Sequence, residues 1–425
     1  MTSPDHLRIT GPEDILGFIP HSLGYWPASS LVAMTMKGKR LGATLRVDLP
    51  RSRAATSPGS AWSAGFARNV ASYLEADEEA DGSLLAFFTD TGPDGTPWAG
   101  LLAELEQALA EAGMPVRDAW LVGTEYWRNA YCLDPSCCAP PGRPVDEIRN
   151  SRLNAEMVFR GSTVGAAPSA TLGRPPEQVD PAVLEAQQGW AKLFAVRARD
   201  CVQFRQVLGV WSRVLNAPPP VPDLSAALTG YLRASLCVLP WRDAVLVMAA
   251  AGAAAAERGA AEFGMFDAGG PGAGRGNSAP RSAPAARPPA PLPPLEDFPP
   301  PEPRRGDAGP DADAATNQEA GYGPVLLGLA PPLPDWGRMA RLDGLLERLG
   351  AAGGEAGAAA LTGRGWIEWC RGRGSFAHAL FNRASEEYPG YRLAELLAEL
   401  VSRGTLCGWA ARRETAWQRF EPDVA

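Results

Sequence analysis

Along the first 130 residues the apolar positions recur in two periods, and the switches between them mark out the elements. Glu13 to Leu23 keeps helical spacing behind Pro12, a residue suited to a first helical turn, and Pro20 is expected to interrupt it. From Ser30 to Leu49, SLVAMTMKGKRLGATLRVDL reads as two apolar strands joined at Lys37-Gly38-Lys39, with Gly38 supplying the positive φ of a tight hairpin. A helix follows from about Ala61 to Glu75, then the strand SLLAFFTD. A second helix runs from Trp98 to Ala112, with Leu101, Leu102, Leu105, Ala108 and Leu109 toward the core. VRDAWLVG and the aromatic-rich EYWRNAYC read as two more strands. This order predicts an α/β N-terminal domain with a mixed sheet over about residues 1–165.

From about Asp146 helical spacing takes over. Cys201, Phe204, Leu208, Trp211 and Leu215 alternate steps of three and four, which marks one buried helix face, and Trp241 to Ala260 reads as a further helix. The expectation is an all-α region in two halves, 175–266 and 322–415, packed together. Between 267 and 321 the composition collapses to Pro, Ala, Gly, Arg and Asp, as in ARPPAPLPPLEDFPPPEPRR. Such a segment holds too little apolar surface to offset its ordering entropy, so a disordered, partly polyproline II linker is expected there. Ala377, Phe381, Ala384 and Pro389, after the helix that carries Trp366 and Trp369, resemble the second half of a tetratricopeptide unit. A solenoid needs about three such units and the chain shows one, so a single helical hairpin is the expectation.

Composition narrows the function classes. A chain of 425 residues with 45% hydrophobic content can bury a real core. A net charge of -8 and a pI near 5.2, with no Lys/Arg-rich run, disfavour a nucleic-acid partner. No secretory leader pattern opens the sequence, and no run reaches the roughly 18 apolar residues of a membrane span. The expectation is a cytoplasmic protein with neither nucleic acid nor membrane as partner.

Candidate chemistry is sparse. Asp90-Thr91-Gly92 matches the aspartic protease tripeptide, but that chemistry needs two carboxylates across a symmetric all-β site, and a turn accounts for the residues. GGPGAGRGN lacks the lysine and hydroxyl of a phosphate loop. The histidines, His6, His21 and His378, show no paired spacing, so a histidine centre would require convergence across the fold. The densest chemistry is YCLDPSCCAPPGRP, where Cys132, Cys137 and Cys138 fall within seven positions beside Trp127 and Tyr131. Three readings stay open. The C-x4-C-C spacing supplies three ligands, one fewer than a closed zinc site takes; a disulfide from Cys132 to Cys137 or Cys138 is sterically feasible; or small thiols pack a proline-fixed turn.

The segments ILGFIPHSLGYWPASSLVAMTM, GATLRVDLP, YCLDPSCCAPPGRP, WRDAVLVM and WIEWCRGRGSFAHALFNRASEEYPGYRLAELLAEL, in this order, closely resemble the actinobacterial domain-of-unknown-function 4192 family. The resemblance covers nearly the whole chain apart from the Pro-rich linker. It implies no catalytic residues. It does imply that Cys132, Cys137, Cys138, Pro140 and Gly142 form a family hallmark, whereas His21 and Trp26 sit where the pattern is looser. The resulting expectation is a non-enzymatic binding or regulatory module without a cofactor, meeting a protein partner through its C-terminal helices. The alternative is a redox sensor or enzyme centred on Cys132, Cys137 and Cys138.

Overall fold

Alternation along the strands builds the first unit, residues 1–171. Strand β1 (Ser30–Lys37) turns at Gly38, whose φ is +57°, into β2 (Arg40–Asp48). β3 (Gly82–Phe88) pairs antiparallel on the other side of β1, and all of its residues are buried, as a strand covered on both faces demands. Helix α3 (Ala99–Glu111) carries the chain over to β4 (Val116–Val122), which is parallel to β3. Antiparallel β5 (Tyr126–Asn129) and β6 (Arg143–Pro144) complete a mixed sheet in the order β2-β1-β3-β4-β5-β6.

The two-residue period then divides the side chains between two cores. Leu31, Ala33, Leu85 and Phe87 meet α2 (Ala61–Leu74) and α3 through Val70, Leu101 and Leu105. Val32, Met34, Ala86, Phe88 and Trp120 meet α1 (Pro12–Leu23) and the short α4 (Asp146–Arg149) through Leu16, Ile19 and Ile148. The computed structural model describes residues 8–49, 60–89, 98–132, 134, 141–168, 179–218, 222–266, 288–300, 321–412 and 414–417. Asp90, Thr91, Gly92 and the glycines of GGPGAGRGN lie outside them.

Pro20 does not interrupt α1, which continues to Leu23 and stops at Gly24 in a left-handed conformation. A proline there forfeits one backbone bond, and the burial of Leu16, Ile19 and Pro20 compensates for it. Near the start of α1, buried Asp14 accepts bonds from the Thr10 amide (2.9 Å) and hydroxyl (2.6 Å). It also accepts from the Leu153 amide (3.1 Å) in the first turn of α5 (Arg152–Phe159). Burial pushes the Asp14 carboxyl up, but these donors outweigh it and hold it below the usual carboxylate range. Because the folded value is depressed, the stabilisation is present above the unfolded pKa and lost as pH falls through the folded one. Asp14→Ala is therefore expected to lower stability by about 1–3 kcal/mol at pH 7. Urea titrations should show the gap to the parent shrinking below about pH 4.

The second unit, residues 172–425, is helical. Its helices are α6 (Pro181–Ala195), α7 (Cys201–Leu215), α8 (Ala226–Leu236), α9 (Leu239–Ala251) and α10 (Ala253–Glu262). After the Pro-rich segment come α11 (Tyr322–Leu326), α12 (Trp336–Gly350), α13 (Gly354–Cys370), α14 (Gly374–Glu387) and α15 (Arg392–Ser402). One hydrophobic core runs through both groups, from Phe204, Leu208 and Trp211 to Leu345, Trp366 and Phe381.

The helix expected over Trp241 to Ala260 breaks at Gly252, whose φ of +92° is outside the helical region. Cys201 is half-buried, while Phe204, Leu208, Trp211 and Leu215 form the buried face of α7. Among the described residues no single helix is long and apolar enough to cross a membrane. The Pro-rich segment departs from its expectation over part of its length. Residues 288–300 adopt no helix or strand, yet Ala290, Leu295 and Phe298 are buried in the helical core. Composition misses this because three apolar anchors suffice when prolines have already removed much of the backbone freedom.

Candidate functional site

Around the cysteine stretch, the structure sends the neighbouring aromatics to opposite faces of the sheet. Trp127 is buried with the α1-side core, and the Arg143 guanidinium lies 4.7 Å over its ring. Tyr131 is exposed and donates its hydroxyl to Glu106 of α3 (2.6 Å), on the other face. Burial, that hydrogen bond and the Glu106 charge all push the phenol of Tyr131 up. Cys132, a half-buried free thiol, follows it. Cys137 and Cys138 lie outside the described residues. Among the described residues no group of three or more His, Cys, Asp or Glu side chains is placed to hold a metal.

A histidine network does form, by convergence across the fold. His21, fully buried on α1, lies 2.7 Å from Asn154 Oδ1 and 2.9 Å from Ser162 Oγ. Asn154 donates its amide NH2 to the Arg149 carbonyl (2.6 Å), so its oxygen faces the ring and accepts from Nε2–H. Nδ1 is then the acceptor for the Ser162 hydroxyl. This is the tautomer a general base would need, but Ser162 is only 3% exposed. What the array does is join α1 to α5 and to the segment after it.

In the helical unit a cavity of about 140 Å³ is lined by Asp180 and Val183 at the start of α6, Thr229 and Arg233 on α8, and Arg348 near the end of α12. The buried Arg233 guanidinium is already committed to Gln187 (2.7 Å), the Leu349 carbonyl and the Gly353 carbonyl (2.7 Å). It thereby satisfies the carbonyl end of α12. Gly230 lets α8 approach α6 closely, since a Cβ there would fall 2.6 Å from that of Ala186.

One face of α7 holds residues 288–300 of the same chain through a series of side-chain contacts to their backbone. Gln203, Gln206 and Arg213 share a stripe of the helix, being three and seven residues apart. Gln203 accepts from the Ala290 amide (2.6 Å), and Gln206 donates to the Ala290 carbonyl (2.7 Å). Arg213 donates to the carbonyls of Phe298 and Leu295 (3.0 Å to the latter), and Arg197, just before α7, reaches the Pro288 carbonyl (3.1 Å). The partners advance together along both segments, so the strap runs in the same direction as α7. Gln203 Nε2 is buried without a partner among the described residues, which leaves one donor of this clasp unused.

A family model described as Domain of unknown function (DUF4192) matches residues 12–261. The chain belongs to this family. The DUF4192 match contains the whole sheet, the cysteine stretch and α6 to α9, so the face of α7 against residues 288–300 is part of it. The strap itself, the thiols of Cys370 and Cys407 and helices α11 to α15 lie beyond it. No curated protein and no solved structure matches the chain.

Sequence reasoning had no signal for the α7 face. Two glutamines and an arginine on an amphipathic helix read as ordinary surface, and the groups they bind belong to the backbone.

Proposed function

We propose that the protein is a non-enzymatic binding module with built-in regulation. The α7 face takes an extended proline-rich segment, and residues 288–300 of the same chain occupy it in cis. The observation that carries this reading is the two-point grip on one residue, Ala290, together with the Arg213 fork on the Leu295 and Phe298 carbonyls. Backbone recognition of this kind depends on conformation more than on side-chain identity, so a partner protein offering a proline-rich run with two apolar anchors has the right chemistry.

Cis occupancy sets the regulation. A tethered segment acts at an effective concentration of about 1 mM, so for an intrinsic affinity of about 10 µM it suppresses binding in trans roughly 100-fold. The free 13-residue peptide of sequence 288–300 should therefore leave the Tm of the parent chain unchanged. It should raise the Tm of a full-length chain whose own strap has been released by Leu295→Asp and Phe298→Asp. Equal shifts in both proteins, or none in either, would count against the proposal.

A further inference from the structure

A second, independent feature lies at the C-terminal end of the helical unit. Cys370, the last residue of α13, and Cys407, in the irregular segment after α15, are both fully buried. The end of α13 runs beside that segment: Trp369 donates to the Thr405 carbonyl (2.8 Å) and a Cβ on Gly372 would lie 3.4 Å from that of Ala410, which brings the Cys370 thiol within interaction range of Cys407. Cys407 Sγ also lies 3.8 Å from the Leu327 carbonyl, and Gly328 has no room for a side chain because a Cβ there would collide with that sulfur. The chain around Leu327 and Gly328 thus fixes the position of the Cys407 sulfur.

We propose that Cys370 and Cys407 form a reversible dithiol/disulfide pair that peroxide oxidises. In the first step the Cys407 thiolate attacks one peroxide oxygen, the O–O bond breaks, and the departing hydroxide takes a proton to become water. In the second step the Cys370 sulfur, losing its proton, attacks the sulfenic sulfur of Cys407. The S–O bond breaks and a second water leaves. Two thiols and one peroxide have become one disulfide and two waters, and a low-molecular-weight thiol reverses the change by exchange.

The surroundings divide the two roles. The neighbouring Cys370 thiol and the Trp409 and Ala410 amides hold the Cys407 thiol below its ordinary value against the effect of burial, with Arg412 adding to this. Burial first, and then the neighbouring Cys407, hold the Cys370 thiol well above it. Cys407 is therefore the attacking sulfur and Cys370 the resolving one. Neither is exposed, so peroxide reaches them when the segment 403–412 opens locally; that segment has turns but no helix or strand.

The product would fasten the end of α13 to that segment, whose Trp409 donates to the Pro331 carbonyl (2.8 Å) and packs edge-on to Trp336 and Trp366. The test uses the full chain treated with hydrogen peroxide, alkylated and digested. The expected product is a peptide joining Cys370 to Cys407, in a protein lighter by two hydrogens. Dithiothreitol should remove the link, and the linked form should gain about 5–10 °C in Tm. In Cys370→Ala, Cys407 should stop at the sulfenic acid and react with dimedone. A joined peptide involving a different pair, or both thiols still alkylatable after oxidation and unfolding, would overturn the assignment. The readout on the parent chain stands even if the variant fails to fold.

Discussion

Leu295→Asp combined with Phe298→Asp is expected to lift residues 288–300 off α7 and to lower the stability of the helical unit by up to about 3 kcal/mol, the most that a roughly 100-fold docking equilibrium contributes. Leu295 and Phe298 are 7% and 2% exposed, and their burial is what offsets the ordering of the segment; keeping a carboxylate in either socket would carry a desolvation cost, so the segment leaves instead. The loss is local, because the anchors sit at the margin of a core whose centre is formed by Trp211, Trp241, Trp366 and Phe381. Hydrogen exchange should show it directly. The Ala290 amide, which Gln203 holds, and the Phe298 amide, which donates to the Leu295 carbonyl (3.0 Å), should lose protection together. The centre of α13 should keep its protection. Arg213→Ala is the milder form of the same experiment, removing two bonds to the strap without introducing a charge.

His21→Leu is expected to destabilise the first unit by about 2–4 kcal/mol. Leucine is close to histidine in size, so packing is largely kept, but the buried Ser162 hydroxyl and the Asn154 amide oxygen each lose their partner. His21→Gln, which retains one donor and one acceptor, should recover part of the loss. Urea unfolding followed by exchange at the α1 and α5 amides would separate this effect from the helical unit. Equal stability of His21→Leu and the parent would show that the network does not join α1 to α5.

The sequence and the fold agree where one period governs one surface. SLVAMTMK and GSLLAFF alternate into two cores, and Leu101, Leu105 and Leu109 face the sheet as their spacing says. Agreement fails where a single residue type is taken as decisive. Pro20 stays inside α1 because its neighbours are buried, while Gly252 ends α9 amid continuous alanine.

The candidate sites were less legible for a different reason. His21 meets Asn154 and Ser162 from 133 and 141 residues away, and Cys370 meets Cys407 from the far side of a helix pair. No local spacing encodes such encounters. The Pro-rich strap was hidden by its composition, since Leu295 and Phe298 are few among many prolines and its polar contacts run through backbone groups. The cysteine-rich stretch, locally the most conspicuous, has only Cys132 of its three thiols among the described residues.

The central claim is that the face of α7 reads a proline-rich segment and that residues 288–300 occupy it in cis. The direct measurement is fluorescence anisotropy of a labelled peptide of sequence 288–300, titrated with full-length Leu295→Asp/Phe298→Asp protein. Saturable binding is expected with a Kd of about 10 µM, weakened at least about tenfold when Arg213→Ala is added and roughly 100-fold weaker to the parent chain. Binding of equal strength to all three proteins, or no binding to the released chain while its helical unit stays folded, would contradict it.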